Sequence, residues 1–374
     1  MGTSVKFEVD EKLTISAHIS YDQSHFVKVL PARALDPDHE FSAKISIRQE
    51  GAGVNGLSIT ETQVPEPGPG EVLVIVHAVS LQYRDLMIAD GTYPFECKDE
   101  LVPCSDAACE IVKVGSKVNK WKVGDRVCAN FELERLTGEG TPETSKSVLG
   151  GPTDGVLTQY RIFPAYSLAA IPEHLSYEEA STLPCAALTA YNALMGPQKL
   201  KGGDVVLVQG TGGVSTFASQ FAVASGAAVI ATSSSNEKLQ ISKKLGASHV
   251  INYKETPDWD NEVLKIVGGL NTMRKSLNSI RSGGWVHTIG FLSASEPEDV
   301  GNIPVSLLGK NGFLRGILMG SLSQFEDMNR LIAVSGLRPV IDRVFSFDQA
   351  KEAYDYLKYQ KHVGKVVIKV LVEH

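Results

Sequence analysis

Six consecutive residues near the middle of the chain have the composition of a loop that holds phosphate groups. They read Gly210-Thr211-Gly212-Gly213-Val214-Ser215. The apolar segment Val205–Val208 precedes them, and residues of helical periodicity follow. Gly210 permits a tight turn, and Gly212 lets the backbone approach a pyrophosphate without a Cβ in the way. Gly213 and Ser215 are small where helix and strand should pack closely. Amides at the start of the helix would then face the phosphates, which predicts a dinucleotide site.

The end of the next apolar strand indicates which dinucleotide is bound. Sites for NAD usually carry Asp or Glu there, which binds the ribose 2′-hydroxyl. Here the strand Ala228–Thr232 leads into three serines and then Lys238. A carboxylate would repel a 2′-phosphate, whereas hydroxyl and ammonium groups bind it through charge-assisted hydrogen bonds. We therefore predict NADPH as the cofactor, with Ser233, Ser234 and Lys238 among its ligands; the alternative is a polar loop with a solvated lysine.

Composition excludes several other classes of partner. The chain has 374 residues, 43% of them hydrophobic, and a formal net charge of −7 with a pI near 5.8. An acidic chain of this kind gives no reason to expect nucleic acid or an anionic membrane as partner. No apolar run approaches the ~20 residues of a membrane span. We expect a small-molecule substrate. The five cysteines are scattered and the first residues resemble no export signal, so we expect a cytoplasmic protein.

The texture of the sequence changes along the chain and predicts two domains behind an N-terminal extension. Residues 1–43 are weakly periodic and form the extension. Residues 44–174 read as short strands between glycine and proline turns, which predicts a small β-barrel. Residues 175–318 alternate helical and strand patterns, which is typical of an α/β fold with a parallel sheet. Residues 319–374 return to mixed texture, with a helix over Phe347–Gln360 and a last strand over Lys365–Val370.

Motifs in a fixed order resemble a known family over about residues 45 to 374. They are Val64-Pro-Glu-Pro-Gly-Pro-Gly-Glu-Val72, Ser80-Leu-Gln-Tyr-Arg-Asp85, Gly91-Thr-Tyr-Pro94, Pro103-Cys-Ser-Asp-Ala-Ala-Cys-Glu110, Val123-Gly-Asp-Arg-Val127, Thr182-Leu-Pro-Cys-Ala-Ala-Leu-Thr-Ala190, the glycine loop, Leu245-Gly-Ala, Ile251-Asn-Tyr253 and His362-Val-Gly-Lys-Val-Val-Ile368. The chain resembles zinc-independent medium-chain dehydrogenase/reductases, the NADPH:quinone oxidoreductases and enoyl reductases, a group that includes zinc-type alcohol dehydrogenase-like proteins.

The resemblance implies a split fold. A GroES-like β-barrel catalytic domain would use residues 44–174 and 319–374. A Rossmann domain with a doubly wound parallel sheet, residues 175–318, would be inserted between them and bind NADPH. Relatives are commonly dimers, so a homodimer is a further expectation.

The resemblance also implies roles for individual residues. Tyr83 would lie beside the nicotinamide and donate a hydrogen bond to a substrate oxygen, and Thr189 would supply a hydroxyl nearby. Relatives often have Asn where this chain has Gln82, which puts that contact in doubt. Tyr253 would lie beside the adenosine 2′-phosphate. Lys365 would lie near the cofactor, or equally be a solvated charge. Residues that would contact the nicotinamide amide are Gly290, Phe291 and Leu292.

The zinc ligands of related alcohol dehydrogenases are missing from the sequence. Those enzymes carry a Cys in the segment that matches Ser80–Asp85 and a Gly-His-Glu in the segment that matches Ser105–Glu110. This chain has neither, and it has no cluster of four cysteines around residues 130–150. Three or four converging ligands are needed to hold zinc. We expect no metal, and Cys104 and Cys109 to be buried small apolar residues.

One part of the family pattern is shortened. After Tyr253 the family runs through a helix and then a fourth strand, which lies beside the strand of the glycine loop. Here Asn261–Val267 runs straight into Gly268-Gly269. Either Val263–Val267 stays helical and the sheet lacks a strand, or Val263–Val267 becomes the fourth strand. We favour the second, because a missing central strand would leave backbone groups unpaired.

Two functions of different class fit these observations. The first is an active reductase that transfers hydride from NADPH to a quinone, an enone or another activated C=C or C=O bond. The second is a repurposed relative that binds nucleotide without turnover. An alcohol dehydrogenase is a third reading, which the missing zinc ligands oppose.

Overall fold

A computed structural model describes residues 41–47, 53–260, 262–263, 276–277, 279–289 and 303–371. The N-terminal extension before residue 41 lies outside these ranges, and so does most of the shortened segment that follows Val263. Within the described ranges, no helix is both long enough and apolar enough to cross a membrane.

Fourteen strands and eight α-helices make up the described fold. The strands are β1 (Phe41–Ile47), β2 (Leu57–Gln63), β3 (Glu71–Ser80), β4 (Asp106–Val114), β5 (Arg126–Ala129), β6 (Tyr160–Pro164), β7 (Leu168–Ala170), β8 (Val205–Gln209), β9 (Ala228–Ser233), β10 (His249–Asn252), β11 (Trp285–Thr288), β12 (Phe313–Gly316), β13 (Ile341–Ser346) and β14 (Lys365–Lys369). The helices are α1 (Tyr83–Ala89), α2 (Tyr177–Ala180), α3 (Leu188–Met195), α4 (Gly213–Ala224), α5 (Asn236–Lys244), α6 (Ile303–Lys310), α7 (Leu322–Ser335) and α8 (Ala350–Lys358).

Strand β3 is the centre of the first domain. It pairs antiparallel with β4, β6 and β14, and the sheet runs in the order β13-β14-β3-β4-β5-β7. Its Val72, Val74 and Val76 side chains are fully buried, as the near-continuous apolar sequence predicts. Among the described residues the end strands β13 and β7 do not pair with each other. The predicted GroES-like architecture of short strands is confirmed, although the described strands do not close into a complete barrel.

The second domain contains the parallel sheet that the alternating pattern predicts. Strands β10, β9 and β8 pair in that order, all parallel, and helices α4 and α5 connect them. Ser235 caps α5 by accepting a hydrogen bond from the Lys238 amide, and Gly246 follows the helix with a φ of +96°. Strands β11 and β12 form a separate parallel pair. This arrangement confirms a Rossmann-like sheet.

Among the described residues, no strand pairs with the edge of β8 where the family's fourth strand belongs. Within the described residues β8 pairs only with β9, and Val205 is 41% exposed. The prediction that Val205–Val208 is a buried strand is therefore correct for Val208 alone. Val263, which we expected to begin a strand, is helical and packs with Trp259 and other buried apolar residues. The prediction that Val263–Val267 forms the fourth strand is therefore wrong at Val263; residues 264–267 lie outside the described ranges.

Two sets of contacts lie at the predicted domain boundaries. Strand β1 already begins at Phe41 and pairs along its length with β2, so the described fold includes residues before 44. Helix α7 packs its buried Phe325 into an apolar core that contains Phe217 of α4 and also Ala108 of the first domain. The boundary at residue 319 therefore stays a prediction.

Gly155 occupies a site in the first domain that has no room for a side chain. A Cβ there would collide with the backbone carbonyl groups of Cys104 and Pro103. We predict that Gly155→Ala lowers the free energy of unfolding by about 1–3 kcal/mol, because the backbone around Cys104 must shift. Urea denaturation measures the loss. Gly70→Ala is the matched control, since nothing lies within 4 Å of its Cβ position. Equal stability of the two variants would show that this crowding is not real.

Candidate active site

The glycine loop turns from β8 into α4, and no side chain caps the start of that helix. Gly210 has a φ of +82°, and its amide donates to the Thr232 carbonyl at 2.8 Å. Gly212 is the N-cap of α4, and having no side chain it leaves the first amides of the helix without a side-chain partner. Nothing lies within 4 Å of a Cβ position at Gly210 or Gly212. The first amides of a helix lack partners within it, so this uncapped, open N-terminus fits the phosphates of a dinucleotide.

Two contacts join this loop to the start of β14 in the other domain. The Gly364 amide donates to the Thr211 carbonyl at 2.9 Å. A Cβ on Gly213 would lie 2.5 Å from Cδ of Lys365, so the lysine stem runs directly over that glycine. Position 213 therefore needs a glycine because a side chain would collide with Lys365. We had expected close packing between helix and strand to be the reason. Ser215 instead donates its hydroxyl to the Gln209 carbonyl at 2.8 Å.

Lys365 is buried, so the alternative that it is a solvated charge is wrong. Its side chain is 4% exposed, and its ammonium group donates to the Leu81 carbonyl at 2.5 Å. The Leu81 amide in turn donates to the Val366 carbonyl. Both polar groups of the Leu81 backbone are therefore held by adjacent residues of β14.

Tyr83 comes two residues later and is the first residue of α1. The Gln82 amide donates to the Asp85 carboxylate at 2.7 Å, which fixes the start of this helix. The Tyr83 ring is half-buried and packs against the core of the first domain. The candidate catalytic tyrosine therefore stands on a turn that Lys365 and Asp85 hold from two sides.

The fully buried carboxylate of Asp106 joins three segments of the chain. It accepts hydrogen bonds from the Gln82 side-chain amide at 2.5 Å, the Ser105 hydroxyl at 2.6 Å and the Cys185 backbone amide at 3.0 Å. Relatives often have Asn at the position of Gln82, and in this structure the longer Gln82 side chain contacts Asp106. Sequence analysis did not single out Asp106; an acidic residue inside the small apolar run Pro103–Cys109 was the available signal.

Burial dominates the electrostatics of this cluster. It raises the pKa of Asp106 to about 6, and the nearby Lys365 ammonium opposes the rise. It also raises the pKa of Asp85, which the Arg84 and Lys365 charges oppose. The pKa of Lys365 is lowered by burial, and Asp106 counteracts this. The pKa of Cys185 is raised by burial, so its thiol is a poor nucleophile.

The two segments compared above for zinc ligands meet at Asp106. The side chains of Gln82, from the first segment, and Ser105, from the second, each donate a hydrogen bond to Asp106. Among the described residues, no three His, Cys, Asp or Glu side chains converge in a way that could hold a metal ion. Cys104 and Cys109 are buried, as expected. That the protein works without zinc stays a prediction.

Thr189 lies in the first turn of α3 and has an unsatisfied hydroxyl. The residue is 2% exposed, and its Oγ1 has no hydrogen-bond partner in the described part of the chain. A buried hydroxyl without a partner costs free energy unless a ligand satisfies it. This is consistent with the expected position near a bound nicotinamide.

The residues expected at the 2′-phosphate lie at the ends of β9 and β10. Ser233 is buried, Ser234 is half-buried, and Tyr253 is 42% exposed with its amide donating to the Ser233 carbonyl. Lys238 differs from expectation: its ammonium group donates to the Gln360 and His362 carbonyls, each at 3.1 Å. It therefore ties the two domains together in this structure. The expected nicotinamide contacts Gly290, Phe291 and Leu292 lie outside the described residues.

Arg84, the residue after Tyr83, packs on two aromatic rings, and one of these rings belongs to a small apolar cluster. The Arg84 guanidinium lies over the rings of Tyr93 and Phe131, about 5 Å from each centroid, and donates to the Leu149 carbonyl. Phe131 packs with Val148 and Met319. Phe131 and Val148, on both sides of the loop that links them, are therefore buried together with Met319.

Two family models match the chain where these features lie. One is the alcohol dehydrogenase GroES-like domain, over residues 68–173, and the other is the zinc-binding dehydrogenase domain, over residues 213–334. A zinc-type alcohol dehydrogenase-like protein of Schizosaccharomyces pombe is 45% identical over 87% of this chain and 98% of its own length. The chain belongs to the medium-chain dehydrogenase/reductase family. It is an oxidoreductase of this family, as the resemblance implied.

Other members share the same overall structure. A crystal structure from Sinorhizobium meliloti 1021, described as an alcohol dehydrogenase, is 36% identical with a TM-score of 0.81 and covers 89% of this chain and 99% of that one. An acryloyl-coenzyme A reductase of Metallosphaera sedula is 29% identical over 84% of this chain and 96% of its own length. Members of this family are therefore named both for alcohol oxidation and for reduction of a conjugated C=C bond.

The raised pKa of Asp106 makes the stability of this dehydrogenase/reductase family member depend on pH. The folded protein keeps a proton that the unfolded chain releases above the usual pKa of 3.8, so the contribution is full below that value and is lost as pH rises through about 6. A rise of this size corresponds to about 3 kcal/mol. We predict that wild type loses about this much stability relative to Asp106→Asn between pH 4 and pH 7, measured by urea denaturation. A difference between the two proteins that is constant across this range would contradict it.

Proposed function

We propose that this protein is a zinc-independent reductase that uses NADPH to reduce a quinone, an enone or another activated C=C or C=O bond. The observation that carries the proposal is the joining of two elements in one place. The open N-terminus of α4 fits a dinucleotide, and the turn that presents Tyr83 is tied to it through Lys365. A phosphate site linked in this way to a hydrogen-bond donor is what a nicotinamide-dependent reductase needs.

Preference for NADPH rests on the end of β9. Ser233, Ser234 and Ser235 follow one another there, and none carries the carboxylate that binds a ribose 2′-hydroxyl in NAD sites. Tyr253 offers an exposed ring beside Ser233. Lys238 supports the preference if its ammonium group turns from the Gln360 and His362 carbonyls to a 2′-phosphate.

The chain's own groups can polarise a substrate oxygen without a metal ion. When bound, NADPH supplies the hydride. The Tyr83 hydroxyl donates a hydrogen bond to the oxygen on which negative charge develops, and the unpartnered Thr189 hydroxyl is a second donor. Phe131, Val148 and Met319 exclude water from the same region. The M. sedula relative, named as a reductase of a conjugated thioester, supports this choice of acceptor.

The open edge of β8 favours one alternative, a relative that binds nucleotide without turnover. The strand that bears the glycine loop has a neighbour on one side only among the described residues. Loss of NADPH absorbance with a panel of quinones, enones and conjugated thioesters separates the two functions. Turnover of any acceptor excludes the alternative. A thermal unfolding temperature that NADPH leaves unchanged would contradict both functions, because each requires NADPH to bind.

Ser234→Asp tests the cofactor preference. The new carboxylate repels a 2′-phosphate and accepts a hydrogen bond from a ribose hydroxyl, so Kd should rise for NADPH and fall for NADH. Hydrogen bonds to charged groups contribute about 1.5–3 kcal/mol, so we expect a change in the ratio of the two Kd values of about tenfold or more. Fluorescence titration measures both. Ser248→Asp, at the opposite end of the sheet, is the matched control; an equal loss for both cofactors would argue against the assigned 2′-phosphate site.

Tyr83→Phe tests the hydrogen-bond donor. Removal of one donor to a developing oxyanion costs about 100-fold in kcat, and we expect a loss of this order with little change in the Kd for NADPH. Steady-state kinetics with the best acceptor measures it. Tyr166→Phe, whose exposed hydroxyl donates to Glu134, should keep wild-type kcat. Full activity of Tyr83→Phe would remove Tyr83 from the mechanism.

A further inference from the structure

Lys365 touches both halves of the candidate site. Its stem lies against Gly213 at the start of α4, and its ammonium group donates to the carbonyl of Leu81, which begins the turn before Tyr83. It is 4% exposed, so both contacts are made in the interior of the protein. We propose that Lys365 is a positioning residue that couples occupancy of the phosphate loop to the placement of the Leu81–Asp85 turn. This inference rests on the proposed cofactor site and deepens it.

The direction of the ammonium group carries the argument. A lysine whose role was to bind phosphate would direct its charge toward the open space above Gly210 and Gly212. Here the ammonium group instead donates to a backbone carbonyl of the first domain. Burial of an ammonium group is unfavourable, and Asp106 and Asp85 lie close enough to offset it. The buried ammonium group of Lys365 therefore holds the turn that begins at Leu81.

The backbone that carries Lys365 is fixed by hydrogen bonds to two other segments. Its amide donates to the Val340 carbonyl, and the preceding residue, Gly364, donates to Thr211 of the loop. Gly364 has a φ of +73°, and a Cβ there would collide with the Val340 carbonyl, so this backbone has little freedom. A shift of Gly213 on cofactor binding would press on the stem and so reach Leu81 through a single buried side chain. Coupling of this kind needs a contiguous contact with few alternatives, which Lys365 provides.

Backbone hydrogen–deuterium exchange tests the coupling without any substrate. In wild type, saturating NADPH should slow exchange in the peptide that covers Leu81–Ala89 by about fivefold or more, the lower end of typical coupling between sites. In Lys365→Met the same peptide should show no such slowing, although fluorescence titration confirms that NADPH is bound. Lys369→Met is the matched control, because this lysine lies on the same strand and pairs with Glu178, away from the loop; it should behave as wild type.

A second variant covers the case in which Lys365→Met does not fold. Gly213→Ala keeps the lysine but places a methyl group 2.5 Å from its Cδ. It should displace the stem and weaken the protection of Leu81–Ala89 by NADPH, even where NADPH still binds.

Kinetics separates positioning from direct phosphate binding. If Lys365 positions the turn, Lys365→Met should lower the rate of a single turnover at saturating NADPH by about 10- to 100-fold, because small misplacements in an active site have effects of this size. The Kd for NADPH should change by less than this. The reverse result, a weaker Kd with an unchanged rate and unchanged protection, would make Lys365 a phosphate ligand and overturn the proposal.

Failure of the inference and failure of the proposed function give different results. Protection of the turn by NADPH in wild type but not in Lys365→Met, without turnover of any acceptor, would leave the coupling standing and remove the reductase. Turnover together with full protection in Lys365→Met would remove the coupling alone. Absence of NADPH binding to wild type would overturn both.

Discussion

Gly364 is the constraint on which the arrangement of the candidate site depends. Its left-handed backbone and the lack of space for a Cβ bring the start of β14 against the glycine loop. The hydrogen bond from its amide to Thr211 fixes the loop, and the next residue, Lys365, passes between the loop and the Leu81 turn. A side chain at this position would collide with Val340, so the backbone that carries the hydrogen bond to Thr211 and leads into Lys365 would have to shift.

The interior beside this junction is held by charges of both signs. Arg84 and Lys365 contribute two positive groups, and Asp85 and Asp106 contribute two negative groups, with both carboxylates fully buried. Hydrogen bonds from Gln82, Ser105 and the Cys185 amide stabilise the Asp106 carboxylate, while burial opposes its ionisation. The cluster occupies the place where zinc enzymes of the family gather ligands. Here it joins three chain segments, so it organises the site through hydrogen bonds.

Local signals in the sequence predicted the elements well, and distant contacts account for what it missed. The bounds of β9 and β14, each predicted to within one residue, and the turn at Gly210 follow from short patterns of apolar residues and glycines. The direction of Lys365 depends on Leu81, 284 residues away, and the Cys185 contact of Asp106 spans 79 residues. Neither separation leaves a trace in a local pattern. The incomplete closure of the first-domain sheet and the packing of α7 against residues of both domains depend in the same way on how whole elements pack, which periodicity does not encode.

The position of β14 has a consequence for how the protein is made. This strand lies between β13 and the central strand β3, pairing Val367 with Ser80, yet it comes after the whole inserted domain in the chain. During synthesis on the ribosome, β3 therefore emerges early and keeps one part of its edge unpaired until residues 367–369 have been made. An apolar, unpaired strand edge is a template for association with other chains. The inserted domain, which is continuous in sequence, can fold first, and the catalytic sheet is completed last by a strand of five residues.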